Sequence, residues 1–174
     1  MRIAVIGFSG SGKSTLAKRL GEMLGVPVLH LDSVHFLPNW EERSDEEGRA
    51  MVREFLDTNA AWVIDGNYRR YEHERRLAES DLIVFLDYPR LTCFFRAWRR
   101  SVKYHGRTRE DMAEGCNEKF DREFRRWILH DGRTKAFRER YEGYARQYGE
   151  KFVRIKNDRE KKAFLRDVGQ KFPS

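Results

Sequence analysis

The sequence predicts an α/β fold built on a parallel sheet, and three observations carry that prediction. Short β-branched runs alternate with helical stretches along the chain. Residues 7–14 read G-F-S-G-S-G-K-S and satisfy the pattern G-x-x-x-x-G-K-[ST] at each fixed position. Asp32, Asp65 and Asp87 each close a predicted strand, at the carboxyl edge where parallel sheets bind their ligands.

The apolar run RIAVI is the first predicted strand, and KSTLAKRLGEMLG has the periodicity of a helix ending at Gly25. The loop between them is a phosphate-binding (P-loop) element. Gly7, Gly10 and Gly12 allow successive N–H groups to turn inward, and Ser9 and Ser11 complete the cradle with those glycines. Lys13 is placed to reach the β- and γ-phosphates of a nucleoside triphosphate. The Ser14 hydroxyl is placed to ligate magnesium, and Thr15 adjoins the same site.

Residues 26–32, VPVLHLD, are the second predicted strand. Residues 33–59 then lack a strand pattern, but Ser44-Asp45-Glu46-Glu47 is a capping box that opens a helix to about Asp57, with Val52, Phe55 and Leu56 buried. The third strand is AAWVID, ending at Asp65. The fourth is DLIVFLD, which reads as buried on both faces. Beyond Pro89 a helix sets Leu91, Phe94, Phe95 and Trp98 on its apolar face, and Phe120, Phe124, Trp127 and Ile128 form a later stripe assigned to the core. KFVRIK is the last strand, followed by a helix over residues 158–171.

Composition bounds the function. At 174 residues the chain suits one domain, residues 1–174. With 36% charged residues it offers no apolar run near the roughly 20 residues that span a bilayer, so a cytoplasmic protein without membrane partners is expected. Met1 runs directly into a predicted core strand, so no signal peptide is expected. Cys93 and Cys116 lack metal-ligand spacing and read as reduced, packed thiols. Residues 96–146 hold 15 Lys and Arg against 9 Asp and Glu, so 15 minus 9 leaves +6 of the chain's net +7. Such an excess suits phosphates, nucleic acid or a solvated helix face.

The segment VIDGNYRR resembles L-D-G-[FY]-P-R of adenylate kinases, with Asp65, Gly66 and Arg69 in matching positions and Asn67-Tyr68 replacing the aromatic-proline pair. The likeness implies that Asp65 acts near magnesium and that Arg69 grips phosphate. HLD, P-N-W, IDGNY, LDYPR and EGCNEKFDREFRRWI together resemble the bacterial DNA topology modulation proteins, which are similar to P-loop kinases, and this likeness covers most of the chain. It implies a three-layer α/β/α P-loop NTPase fold with a five-stranded parallel sheet of order 2-3-1-4-5. Residues 33–59 would then be an acceptor-binding insertion, and about 99–127 a lid.

The expected activity is transfer of the γ-phosphate of ATP, with Mg2+, to a small acceptor. Lys13 serves the donor, while Arg69, Arg96 and Arg100 neutralise transition-state charge, with Arg107 and Arg109 as lid alternatives. If the acceptor is a hydroxyl, Asp32 orients it or takes its proton, with His35 nearby. If it is a nucleoside monophosphate, Arg43, Arg49 or Arg53 grips the phosphate and Trp40 stacks on the base. The turn at residues 156–158 is placed to meet the donor base, adenine by family likeness. A nucleic-acid-associated ATPase or switch, with DNA as partner, is the reading from a different class.

Overall fold

The computed structural model describes residues 1–104, 115–116 and 120–171. Five strands, β1 (Arg2–Gly7), β2 (Val28–His30), β3 (Trp62–Asp65), β4 (Leu82–Leu86) and β5 (Phe152–Ile155), form one sheet in the order β2-β3-β1-β4-β5. Every pairing is parallel. Helices α1 (Lys13–Leu24), α2 (Leu31–His35), α3 (Asp45–Thr58), α4 (His73–Glu79), α5 (Arg90–Lys103), α6 (Arg122–Leu129), α7 (Lys135–Tyr148) and α8 (Asp158–Lys171) pack around it. This is the α/β P-loop NTPase fold: the alternating pattern predicted its parallel sheet, and the family resemblance implied its strand order.

The reason lies in which strands are apolar throughout. Ile3, Ala4, Val5 and Ile6 of β1, Trp62, Val63 and Ile64 of β3, and Ile83, Val84, Phe85 and Leu86 of β4 are all buried. A parallel sheet covered by helices on both faces demands such runs, because neither face meets water. Each large side chain so buried contributes about 1.5–3 kcal/mol relative to exposure. The edge strands β2 and β5 are largely only half-buried. Among the described residues no helix is long and apolar enough to cross a membrane.

Two element boundaries follow their sequence signals closely. Gly25, left-handed at φ 62°, caps α1 by donating its N–H to Gly21. Ser44 caps α3: its Oγ accepts from the Glu47 N–H at 3.2 Å and donates to Glu47 Oε2 at 2.9 Å. Val52 and Leu56 are buried as expected, with Phe55 packed at the margin of the core.

The structure corrects the sequence reading at three places. The second strand ends at His30, so Asp32 lies in α2 and not at a strand terminus. Leu31 fills the space beside Gly66, where a Cβ would stand 2.7 Å from the Leu31 Cβ, and this packing turns the chain out of the sheet into a helix. On α5 the buried residues are Cys93 and Ala97, whereas Leu91, Phe95 and Trp98 are exposed. The helix presents its small residues inward because the loop at Gly10 lies against it: a Cβ on Gly10 would sit 2.4 Å from the Cys93 carbonyl oxygen. In α6 the stripe is divided as well, since Ile128 is buried but Trp127 is 42% exposed.

Candidate active site

Where β1 ends, residues 7–12 turn into α1 and form the floor of a cleft of 1610 Å³. Gly12 is the N-cap of α1 in a left-handed conformation, φ 92°, and no side chain caps the helix. The first turn itself carries no acidic residue, and the positive end of the helix dipole faces the cleft. A Cβ at Gly12 would meet nothing within 4 Å. Ser11 Oγ is buried without a hydrogen-bond partner. Open space at a helix N-terminus beside an unsatisfied hydroxyl fits an anion such as a nucleotide phosphate.

Side chains from distant segments hold this loop in shape. The Asn67 amide pairs with both backbone groups of Gly7, accepting from its N–H at 3.1 Å and donating to its carbonyl at 2.6 Å. Arg133 lies 3.9 Å over the Phe8 ring and donates to Cys93 Sγ at 3.0 Å and the Ile128 carbonyl at 3.1 Å. Trp127 Nε1 donates to Ser9 Oγ at 3.1 Å.

Lys13 reaches back over the loop to the Phe8 carbonyl at 3.2 Å. Burial pushes its ammonium below the ordinary lysine value, against the opposing pull of Asp32 and Asp65. Ser14 Oγ donates to Asp65 Oδ2 at 3.0 Å, and His30 Nδ1 pairs with Asp65 Oδ1. A hydroxyl and a carboxylate side by side next to the anion cradle suit Mg2+. This ion takes one or two protein oxygens and fills its remaining positions with water and substrate phosphate.

Asp32 lines the same cleft. Its Oδ1 accepts from the Tyr68 hydroxyl at 2.9 Å, and burial together with the Asp32 charge pushes the Tyr68 phenol up, so that it remains a donor. Tyr68 is itself positioned through the main chain. Arg76, fully buried, donates to the Tyr71 carbonyl at 2.8 Å and the Tyr68 carbonyl at 2.7 Å. Phe36 and Trp40 complete this wall, their rings 4.9 Å apart and nearly perpendicular at 73°.

On the opposite side α5 contributes Arg96, Arg99, Arg100 and Lys103 to the cleft. Arg96 donates to the Ser11 carbonyl at 3.0 Å, pairs with Asp158 at 2.7 Å and covers the Tyr88 ring at 4.1 Å. It thus ties the loop to the start of α8. Bonds from Lys161, Tyr88 and Arg96 hold the Asp158 carboxyl at about 2, below the usual range. Burial and the Asp158 bond push Tyr88 up to about 12.

The cleft therefore gathers Ser9, Gly10, Gly12, Lys13, Ser14, Thr15, Asp32, Trp40, Arg96 and Arg100, with Asp65 bonded to Ser14 beneath. Gly7 and Ser11 shape the loop from behind. Other expected residues lie elsewhere. Arg69 is exposed outside the cleft, and its charge acts on His73 and Tyr144. Asn67 turns back to Gly7 and Tyr68 to Asp32, and the chain following them leaves the site. Asp87 sits 3.9 Å from Arg154 and does not line the cleft. His35 is buried among Phe36, Tyr68 and Tyr71, bonded to the Tyr71 hydroxyl at 2.9 Å, and acts as packing. Arg107 and Arg109 fall outside the described residues, as does much of the expected lid. His30, Asn67, Tyr68, Arg76 and Arg133 have roles that the sequence reading missed. Only the first three carried a signal, through their place in the HLD and IDGNY segments.

Loop, sheet order and carboxylate define a P-loop nucleotide-site protein. The chain belongs to the AAA domain family, whose model matches residues 3–161. Among solved structures it is similar to the shikimate kinase from Acinetobacter baumannii in complex with shikimate, at 15% identity and a TM-score of 0.56, over 98% of this chain and 94% of that one. It is also similar to the shikimate kinase from Bacteroides thetaiotaomicron, at 18% identity and a TM-score of 0.54, over 98% and 96%. At such identities the likeness is one of fold. No curated protein matches the chain.

Proposed function

We propose that the protein is a magnesium-dependent phosphotransferase that moves the γ-phosphate of ATP to a hydroxyl of a small acceptor. One observation carries this reading: the Asp32 carboxylate, oriented by Tyr68, stands in the same cleft as Lys13 and Ser14 at the mouth of the phosphate loop. A hydroxyl must lose a proton as it attacks, and a fixed carboxylate can receive it. A phosphate acceptor needs no base and would be repelled by Asp32.

Lys13 and the α1 terminus hold donor phosphates, and Arg96 and Arg100 neutralise charge. Ser14 and Asp65 would hold magnesium, with His30 orienting Asp65. When bound, magnesium would neutralise charge on the donor phosphates. The acceptor oxygen forms a bond to the γ-phosphorus as the bond from that phosphorus to the β,γ-bridging oxygen breaks. ADP leaves with that oxygen, and the hydroxyl proton passes to Asp32. We read the adenylate kinase likeness as belonging to the donor half. Residues 1–174 act as one domain in this reading, and 33–59 hold the acceptor.

Acceptor-dependent ADP release from ATP tests the proposal. Asp32→Asn is expected to lower kcat about 10²–10⁴-fold with ATP affinity little changed. Equal loss of ATP affinity and turnover would assign Asp32 to the magnesium site.

A second reading, nucleotide-gated DNA binding as the DNA topology modulation likeness implies, has in its favour the exposed Arg122, Arg125 and Arg126 of α6. A salt titration decides it: affinity that depends on ATP and falls steeply with salt favours DNA, and no binding near physiological salt removes it.

A further inference from the structure

The acceptor wall has a chemistry of its own. Phe36, Trp40 and Tyr68 present three aromatic rings to the cleft beside Asp32. A wall of aromatic rings recognises a flat ring by apolar contact, whatever its hydrogen-bonding edge.

The charges of the same wall argue against an anionic acceptor. Arg43 donates to the Val34 carbonyl at 2.8 Å and Arg49 to the Arg70 carbonyl at 3.2 Å. Arg53 pairs with Glu72 at 3.0 Å and Arg70 with Asp45 at 2.7 Å. None of these four arginines lines the cleft. Among the described residues, every Lys and Arg that does so comes from α1, α5 or α8, and none from the segments that carry Asp32, Trp40 and Tyr68. Among the described residues, a carboxylate or phosphate seated against this wall would meet Asp32, with the lining cations carried by α1, α5 and α8 and not by the wall itself.

The backbone supplies an independent observation. Asn39 and Trp40 both adopt positive φ, 63° and 67°, consecutively and without glycine. Each such residue costs about 1–3 kcal/mol and persists only where its surroundings impose it. Here they do: the Trp40 N–H donates to Cys116 Sγ at 3.3 Å, the Cys116 thiol donates to the Leu37 carbonyl at 3.3 Å, and Asn39 packs on Gly115. The turn so held carries the Trp40 ring, which lines the cleft edge to face with Phe36.

We infer that the acceptor is an uncharged alcohol carrying a planar ring, with the ring packed on Trp40, Phe36 and Tyr68 and the hydroxyl at Asp32. This inference rests on the phosphotransfer reading and narrows its substrate. The bond changes are those given above, with the ring alcohol's oxygen as nucleophile and ADP and the ring alcohol's phosphate ester as products.

The test uses the full chain with ATP and Mg2+ and measures acceptor-dependent ADP release for thymidine, uridine, adenosine and pyridoxine. Thymidine 5′-monophosphate, shikimate and glycerol are run beside them. At least one ring alcohol is expected to accelerate release above all three comparison compounds. Trp40→Ala should then raise KM for it about tenfold, with a smaller change in kcat, and Trp40→Phe should restore most of the loss. Acceleration by the monophosphate, shikimate or glycerol in preference to every ring alcohol would overturn the inference and leave phosphotransfer standing. No acceleration by any compound would overturn both. An unchanged KM in Trp40→Ala would overturn the ring contact.

Discussion

The phosphate loop and the acceptor wall face each other across one cleft but are built from different materials. The loop works through backbone: a helix N-terminus and the left-handed glycines Gly10 and Gly12, all within residues 7–15. The wall works through side chains gathered from α2, the turn at residues 38–40 and the end of β3, and its shape depends on Arg76 beneath. Main-chain chemistry generalises across any triphosphate, whereas assembled side chains select. In the proposed function, donor binding falls to the loop and specificity to the wall.

Lys13→Ala tests the donor half most severely. Turnover of ATP should fall at least about 10²-fold, as when one transition-state donor is removed elsewhere. The circular dichroism and melting temperature should stay close to the parent, since Lys13 lines the cleft and not the core. Retained turnover would dissolve the distinction between the halves.

Asp65→Asn sharpens the donor half further. Loss of one carboxylate charge at Ser14 and His30 should raise the Mg2+ concentration for half-maximal rate about 10–100-fold. The KM of a working acceptor should stay nearly constant. A matching rise in acceptor KM would make Asp65 a shared part of both halves.

The smallest expected effect is on acid stability and concerns the support of the wall. His73 is buried: its Nδ1 accepts from Arg76 at 3.3 Å, so its Nε2 carries the proton and donates to the Tyr144 hydroxyl at 2.7 Å. Burial first, and then the charge of Arg76, holds its imidazole at about 4 instead of the ordinary 6.5. Between those values the unfolded chain binds a proton that the folded chain refuses, so stability rises with pH and is lost as pH falls from 6.5 toward 4. The loss should be on the order of 2 kcal/mol, read from urea midpoints. His73→Gln should flatten that slope. A slope unchanged in the variant would remove His73 as its source.

Legibility in the sequence follows the same division. The loop, the Ser44 cap, the Gly25 stop and the apolar central strands are local patterns, and each stands where its pattern places it. The outward face of α5 was not legible, because its orientation is chosen by close approach to Gly10 and not by the helix's own hydrophobicity. Asp32 appeared as a strand end because VPVLHLD is apolar to its last residue, yet Leu31 packs beside Gly66 and the chain turns early.

By itself the sequence determined a parallel α/β sheet, a phosphate loop and the residue types available beside it, since periodicity and short motifs act over a few residues. Tertiary structure alone decided which of those residues meet. Ser14 finds Asp65 across 51 positions, Tyr68 finds Asp32 across 36, and Asn67 finds Gly7 across 60. Sheet order and helix packing set those encounters, and a one-dimensional pattern holds no distance between segments so far apart.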